Sequence, residues 1–389
     1  MRRVSIIGVG CTRFGVLNEP LRDLAVAACN EAIADAGIDR ARIQAFYLGN
    51  YGSGMLAKQE LTASIIANRL GLRPIPVTKV EGACASGGIA LRHGWLLIAA
   101  GLADIVLVAG VEKMTAAPTE VVTEALAAAT DTEAVEGRAG LTFPGFFAMV
   151  AARHMHEFGT TADELAQVAL KNRRNAQQNP RAHFYGKPAD LNKILQSRLI
   201  ADPLRLFDCS PISDGAAAAV LCAAELATEF TDRPIDILAT EQSMGPATLG
   251  GLPNLTSIPA TAEAARKAYA RAGITPADID VAEVHDCFSI AEIVAIEDLG
   301  FVPKGEGGPA TADGFTALDG QIPVNPSGGL LSKGHPVGAT GMAQCFEIVR
   351  QLRGEADNQV AGAEIGLMHN LGGTGGTVSV TILARRGVA

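Results

Sequence analysis

Aromatic side chains are scarce in this sequence, only 5% of its 389 residues, and there is a single tryptophan. Glycine occurs 43 times and hydrophobic residues make up 48%, so a large core must be packed from small side chains, and neither a disordered nor a fibrous chain fits. Positive charge is also short: the formal net charge is −9 and no dense Lys/Arg run is present, which argues against nucleic acid and anionic membrane surfaces as partners. No stretch reaches the ~20 apolar residues of a membrane helix. The opening MRRVSIIGVGC interrupts its apolar run with glycines and then Arg13, so it is read as a first strand rather than a signal segment. The closing ARRGVA carries no recognisable address tag. Seven cysteines (Cys11, Cys29, Cys84, Cys209, Cys222, Cys287 and Cys345) show no CxxC spacing. Neither a zinc knuckle nor a disulfide framework is expected, and the odd count fits a reducing cytoplasm.

What is present is an alternation of strand and helix. VSIIGVG (4–10) has the pattern of a buried strand. The helical pattern 21–37 follows, with Leu21, Leu24, Ala25, Ala28, Ala32 and Ile33 on one face and Gly37 as its stop. IQAFYLGN, LTASIIANRL, VTKVE, SGGIALRHGWLLIAAG and DIVLVAG (104–110) continue the alternation, which predicts an α/β fold with a mostly parallel sheet covered on both faces. The unit AIADAGIDRARIQAFYLGN (32–50) lines up without gaps on AYARAGITPADIDVAEVHD (268–286). Either the chain is built of two similar halves, or two ordinary helix–strand units have converged in an alanine-rich protein. Residues 117–207 differ in character, holding three of the seven histidines and the basic cluster KNRRNAQQNPR (171–181). The expected organisation is a first half over 1–116, an inserted domain over 117–207, a return to the first half over 208–232, and a second half over 233–389.

GVGCTRFG (8–15) sits between a strand and a helix, but its spacing is G-x-G-x-x-x-G and the next strand ends in LGN rather than in an acidic residue. A dinucleotide fingerprint is therefore a poor fit, and a tight turn is the better account. In VEGACASGGIAL (80–91), Cys84 follows a strand and opens a helix among small side chains. Helix N–H groups would favour the thiolate there and lower the thiol pKa, and small neighbours permit a sharp turn that presents the sulfur. A packed core thiol has the same surroundings. VHDCFSIAEIVAIE places His285 and Cys287 at the end of the repeated strand, and NPSGGLLSKGHPVGATGMAQ places His335 in a glycine-rich loop before a helix. Pro336 restrains His335 to an extended backbone. Each of these groups, taken singly, is equally a satisfied core residue. GLMHNLGGTGGTVSV (366–380) has the pattern strand, glycine turn, strand; its N–H groups suit an oxyanion hole beside Cys84, or merely a hairpin.

Taken together, GACASGG, DIVLVAGVEKMT, SPISDGAAAAVL, VHDCFS, NPSGGLLSKGHPVGATG and HNLGG resemble the thiolases along the whole chain, specifically the archaeal and sterol-carrier-protein-2-like branch. The resemblance implies two duplicated βαβαβαββ halves of five strands each, a five-layer αβαβα arrangement, an inserted loop domain, and a homodimer or dimer of dimers. Carried over by position, Cys84 is the acyl-accepting nucleophile and His335 the base that takes its proton. His285, with His335, would hold the thioester oxygen of an enolate, and the N–H groups of Cys84 and Gly372 would form the second oxyanion hole. The better-known thiolases have a second cysteine where Asn370 stands here; in this branch the HDCF cysteine, Cys287, would move the α-proton. Ser210 and Asn370 are expected to touch substrate.

The implied reaction is a reversible Claisen condensation, acyl-CoA plus acetyl-CoA giving 3-oxoacyl-CoA plus CoA, with coenzyme A thioesters as substrates and no bound cofactor or metal. A degradative thiolase for a longer or aromatic 3-oxoacyl-CoA, a retro-aldolase on the same fold, and a non-catalytic lipid carrier or scaffold are the alternatives. Retention of Cys84 speaks against the aldolase. Relatives in this branch work with a small zinc-ribbon/OB-fold protein, so such a partner is expected too.

Overall fold

A computed structural model describes residues 1–388. Val4–Cys11 is buried at every position, and an eight-residue run of that kind is stable only as a strand covered on both faces; it forms β1. In chain order the first half continues with α1 (Leu21–Asp35), β2 (Ala45–Gly49), the single turn α2 (Ser53–Leu56), α3 (Thr62–Arg69), β3 (Val77–Val80), α4 (Ser86–Ala99) and β4 (Ile105–Glu112). An excursion follows, made of α5 (Thr119–Ala127), α6 (Val135–Arg138), α7 (Phe143–Phe158), α8 (Ala162–Gln178), α9 (Leu191–Leu195) and the short hairpin β5 (Leu199–Ala201) and β6 (Leu204–Arg205). β7 (Gly215–Ala223) then inserts between β4 and β1. The second half runs β8 (Ile235–Met244), α10 (Pro259–Ala272), β9 (Val281–Glu283), α11 (Ser289–Asp298), α12 (Gly307–Ala312), α13 (Thr340–Arg353), β10 (Ile365–Gly372) and β11 (Thr377–Arg385).

The strand order β3-β2-β4-β7-β1-β8-β11-β10-β9 is a mirrored pair of half-sheets. They join where β1 meets β8 antiparallel, at Ser5–Asp236 and Ile6–Ile235, and the Ser5 hydroxyl donates to Asp236 at 2.6 Å across the seam. α1 and α3 cover the outer face of the first half-sheet and α10 and α11 that of the second. α4 and α13 lie between the two, which produces the five-layer α-β-α-β-α arrangement that the sequence resemblance implies. The repeated units of the sequence correspond to α1–β2 and α10–β9, each joined through one tight helical turn (Arg40–Arg42 and Pro276–Asp278).

The second half carries four strands rather than the expected five. The fifth is reduced to a single parallel bridge between Val324 and Ala282. The cause is local: Asn325 adopts a left-handed backbone (φ 56) and Pro326 has no N–H to give. The Asn325 side chain supplies the missing contact, accepting from the Val284 N–H at 2.8 Å where a ladder carbonyl would stand. The chain is thereby freed to turn toward the wide helical turn Gly329–Lys333 and on to His335. Among the described residues no helix is long and apolar enough to cross a membrane.

The start of α4 and the start of α13 touch backbone to backbone. A Cβ placed on Gly341 would fall 2.2 Å from the Gly88 nitrogen, and one on Gly87 would fall 3.0 Å from the Gly338 oxygen and the Met342 nitrogen. No side chain separates the two helix starts, so the turns that precede them share one space. Gly341→Ala is expected to destabilise by about 1–3 kcal/mol through overpacking and to reduce activity, whereas Gly250→Ala, with open space around its Cβ, should stay within about 0.5 kcal/mol. Denaturant unfolding of both variants checks this; equal stabilities would show that the helices can move apart freely.

Candidate active site

Cys84 lies in the tight turn Ala83–Ala85 that runs into α4. Ala83 takes a left-handed backbone (φ 50), which is strained for a residue with a side chain and so must be held by its surroundings. Ser86 does part of this: its hydroxyl accepts from the Gly82 N–H at 3.0 Å and donates to the Ala83 carbonyl at 2.6 Å. Asn370, on β10, does the rest from the other half of the chain. Its amide nitrogen donates to the Cys84 carbonyl at 2.9 Å, and its oxygen accepts from the Gly88 N–H at 3.1 Å. The Cys84 residue is 8% exposed.

His285 and His335 join Cys84 from the second half, with one potential ligand atom of each residue within 4.8 Å of those of the other two. The two imidazoles meet edge to face, centroids 5.0 Å apart. His335 Nδ1 is 2.8 Å from the Thr340 hydroxyl, which itself donates to the Pro336 carbonyl. Thr340 therefore accepts the Nδ1 proton, and His335 Nε2 is left with a free lone pair. Cys287, Ser210, Phe288 and Gly373 line the same cavity, of about 270 Å³, whose apolar wall includes Leu126, Phe143, Leu206 and Ile212.

The structure changes three expectations for the site. Gly373 rather than Gly372 lines the cavity, and its N–H is one of the groups that favour the Cys84 anion. Gly372 is still paired with Thr377 in the β10–β11 ladder, whereas Gly373 (φ 63) is the first residue to turn out of it. Asn370 does not line the cavity; it is committed to the backbone of the Cys84 turn and to His285. Ser210 does line it, and its N–H donates to the Cys287 carbonyl at 3.0 Å. The third change concerns the thiol. A helix start was expected to lower the Cys84 pKa, but burial pushes it up to about 12, outweighing the Gly373 and Cys84 N–H groups that favour the anion.

Burial likewise pushes His335 down to about 3. His285 is lowered well below the ordinary histidine range by burial and then by the neighbouring His335 and His369, and Cys287 is raised well above the ordinary thiol range by burial and then by Cys84 and Asp286. The resting site thus holds neutral thiols and neutral imidazoles. Burial disfavours a standing thiolate–imidazolium pair between Cys84 and His335.

Several supporting residues are not apparent in the sequence. Asp286, between His285 and Cys287, accepts from the N–H groups of Leu330 and Leu331 and from Asn172 on α8, which ties the HDCF loop to the turn leading to His335. Glu112 accepts from the N–H groups of Tyr51, Gly52 and Gly338 and from Asn50, fixing the far side of the His335 loop; burial nonetheless pushes it up to about 7. A second recess of about 330 Å³ adjoins the cavity and shares Leu206, Cys209 and Ser210 with it. Arg173, Lys187 and Lys193 line this recess. The Arg173 guanidinium lies 3.6 Å over Phe184, and its Nε has no hydrogen-bond partner among the described residues. The only sequence signal for it was the basic cluster 171–181.

The raised thiol has a kinetic signature. Alkylation of Cys84 by iodoacetamide should be slow at about pH 7 and should rise roughly tenfold per pH unit to about pH 9 without a plateau, because only the rare thiolate reacts. Peptide mass spectrometry of the Cys84 adduct measures this, and a plateau below about pH 8 would show a thiolate formed at rest.

Residues 4–225 match the family described as thiolase, N-terminal domain, and residues 244–385 match the one described as thiolase C-terminal domain-like. An acetyl-CoA acetyltransferase from Methanothermobacter thermautotrophicus is 54% identical over 389 residues, covering 99% of this chain and 100% of that protein. Sterol carrier protein 2 from Bos taurus is 39% identical over 98% of this chain and 72% of its own length. Among solved structures, the Ltp2-ChsH2(DUF35) aldolase superposes with a TM-score of 0.86 at 27% identity, covering 100% of this chain and 99% of that one. With the two family matches together spanning most of its length and these relatives each aligned over at least 98% of this chain, the chain belongs to the thiolase family, in the branch of the archaeal acetyl-CoA acetyltransferases and sterol carrier protein 2, and is an acyltransferase with thiolase activity.

Proposed function

We propose that the thiolase reaction here runs through an acyl-cysteine at Cys84, using coenzyme A thioesters as both substrates. The observation that carries this reading is the convergence of Cys84, His285, Cys287 and His335 on one buried cavity. In the cleavage direction the Cys84 sulfur attacks the 3-oxo carbon while its proton passes to His335 Nε2. The N–H groups of Cys84 and Gly373 receive the oxygen. As the tetrahedral centre collapses, the C2–C3 bond breaks and its electron pair forms an enolate, whose thioester oxygen lies against His285. The Cys287 thiol then protonates C2, a task that suits a group which burial keeps protonated, and acetyl-CoA leaves. The proton on His335 resets Cys287. Free CoA next attacks the acyl group, its proton passing by way of His335 to the departing Cys84 sulfur. Condensation is the same sequence reversed, and one thioester replaces another at each acyl transfer, so little free energy separates the states.

The recess of Arg173, Lys187 and Lys193 suits the phosphates of coenzyme A, with the pantetheine passing Ser210 toward Cys84. The apolar wall of the cavity suits a short acyl group, with acetoacetyl-CoA the simplest product. Retro-aldol cleavage, the chemistry in the name of the solved neighbour, needs no nucleophile, and the placement of Cys84 with a base favours acyl transfer. That neighbour's name also includes a second component, ChsH2(DUF35), which supports a partner protein for this chain, and a small zinc-ribbon/OB-fold protein is the partner proposed. A homodimer or dimer of dimers in the cytoplasm completes the proposal.

Incubation with acetyl-CoA followed by a quench should leave an acetyl adduct on Cys84, read by mass spectrometry; cleavage of a 3-hydroxyacyl-CoA with no adduct would favour the aldolase. Cys287→Ala should retain acyl exchange between acetyl-CoA and labelled CoA yet lose at least about 100-fold in condensation. Equal losses would overturn the division of roles. Arg173→Ala should raise KM roughly tenfold for CoA thioesters while leaving short pantetheine thioesters unaffected.

A further inference from the structure

Asn370 stands where the better-known thiolases place their second cysteine, and its three contacts determine one another. The Cys84 carbonyl can only accept and the Gly88 N–H can only donate. Those two neighbours fix the amide with its nitrogen toward Cys84 and its oxygen toward Gly88, and exclude the flipped orientation. The second proton of the same nitrogen then faces His285 Nδ1 at 3.2 Å. A ring nitrogen that meets a donor must itself be the acceptor, so the His285 proton resides on Nε2. That Nε2 is buried and has no hydrogen-bond partner among the described residues, while the residue is 1% exposed and lines the cavity beside Cys84. A buried N–H left without an acceptor costs about 1–3 kcal/mol, a cost that a substrate oxygen removes on arrival.

We infer that Asn370 is a positioning residue that selects the Nε2–H tautomer of His285, and so makes that histidine a hydrogen-bond donor to the substrate's thioester oxygen rather than a base. The two imidazoles then have opposite duties enforced by different neighbours. Thr340 takes the Nδ1 proton of His335 and leaves a lone pair on its Nε2; Asn370 donates to Nδ1 of His285 and leaves a proton on its Nε2. Because the same amide also holds the Cys84 carbonyl, the turn that presents the nucleophile and the donor that receives the enolate are set by one side chain. The assignment of the receiving oxygen rests on the thiolase reading above; the tautomer itself does not.

The test uses Asn370→Asp and Asn370→Ala in the full-length protein. Nitrogen-15 NMR of labelled histidine should show His285 as the Nε2–H tautomer in the wild type, as the Nδ1–H tautomer in Asn370→Asp, whose carboxylate can only accept, and as a mixture in Asn370→Ala. Solvent deuterium incorporation into the methyl group of acetyl-CoA, which reports the enolate alone, should fall by about 100-fold or more in Asn370→Asp, as expected for loss of one oxyanion donor. It should fall by roughly tenfold in Asn370→Ala, while acyl exchange at Cys84 falls less than the enolate step in both variants. An Nδ1–H tautomer in the wild type, or equal losses in exchange and deuteration, overturns the inference and leaves Asn370 a structural tie. If Asn370→Asp does not fold, the wild-type tautomer and Asn370→Ala still decide the matter. Failure to find any acyl-Cys84, with the tautomers as stated, would instead count against the thiolase mechanism.

Discussion

The contact on which the site depends is the meeting of two helix starts with no side chain between them. α4 and α13 belong to opposite halves, and only glycine at positions such as Gly87 and Gly341 lets their backbones approach this closely. Cys84 precedes one helix and His335 the other, so their proximity follows from how the halves pack rather than from any attraction between thiol and imidazole. Asn370 and Glu112 act on the same seam from either side: the Asn370 side chain reaches from β10 to the Gly88 N–H, and that of Glu112 reaches from β4 to the Gly338 N–H. The chemistry is therefore only as well aligned as the interface between the halves.

Burial does two things to this site. It strengthens every dipole aimed at a developing oxyanion, since little water is present to compete. It also removes charge from the resting groups, which is why the thiols are raised and the histidines lowered. A thiolase fits such a site well, because its reaction carries a neutral thioester to another neutral thioester and charge arises only in passing. A helix start beside Cys84 is real, but in this setting its N–H groups are outweighed by burial.

The alternation of elements, the repeated α1–β2 and α10–β9 units and the loops bearing Cys84, His285, Cys287 and His335 were legible in the sequence. Each is a local pattern, a strand followed by a turn and a helix, and local patterns survive in one dimension. What was not legible depends on distances between segments. Whether Gly372 or Gly373 faces the cavity depends on where the β10–β11 ladder ends. The sign of the Cys84 shift depends on how deeply the turn is buried. Asn370 had the look of a substrate ligand because its three partners, Cys84, Gly88 and His285, come from segments 85 and more residues away. The missing strand at Val324 was hidden because NPSGG codes for both a strand stop and a catalytic loop.

That lost strand leaves the sheet with unlike ends. At one end β9 is three residues long and is closed off by the Val324 bridge, where the chain turns away. At the other, β3 is paired only with β2, so its outer row of donors and acceptors is open, and Thr78 on it is exposed. A sheet with two open edges can add chains without limit, as fibres do. A sheet with one open edge offers a single place for an added strand, and in this fold that place is β3, beside the loop that leads to Cys84.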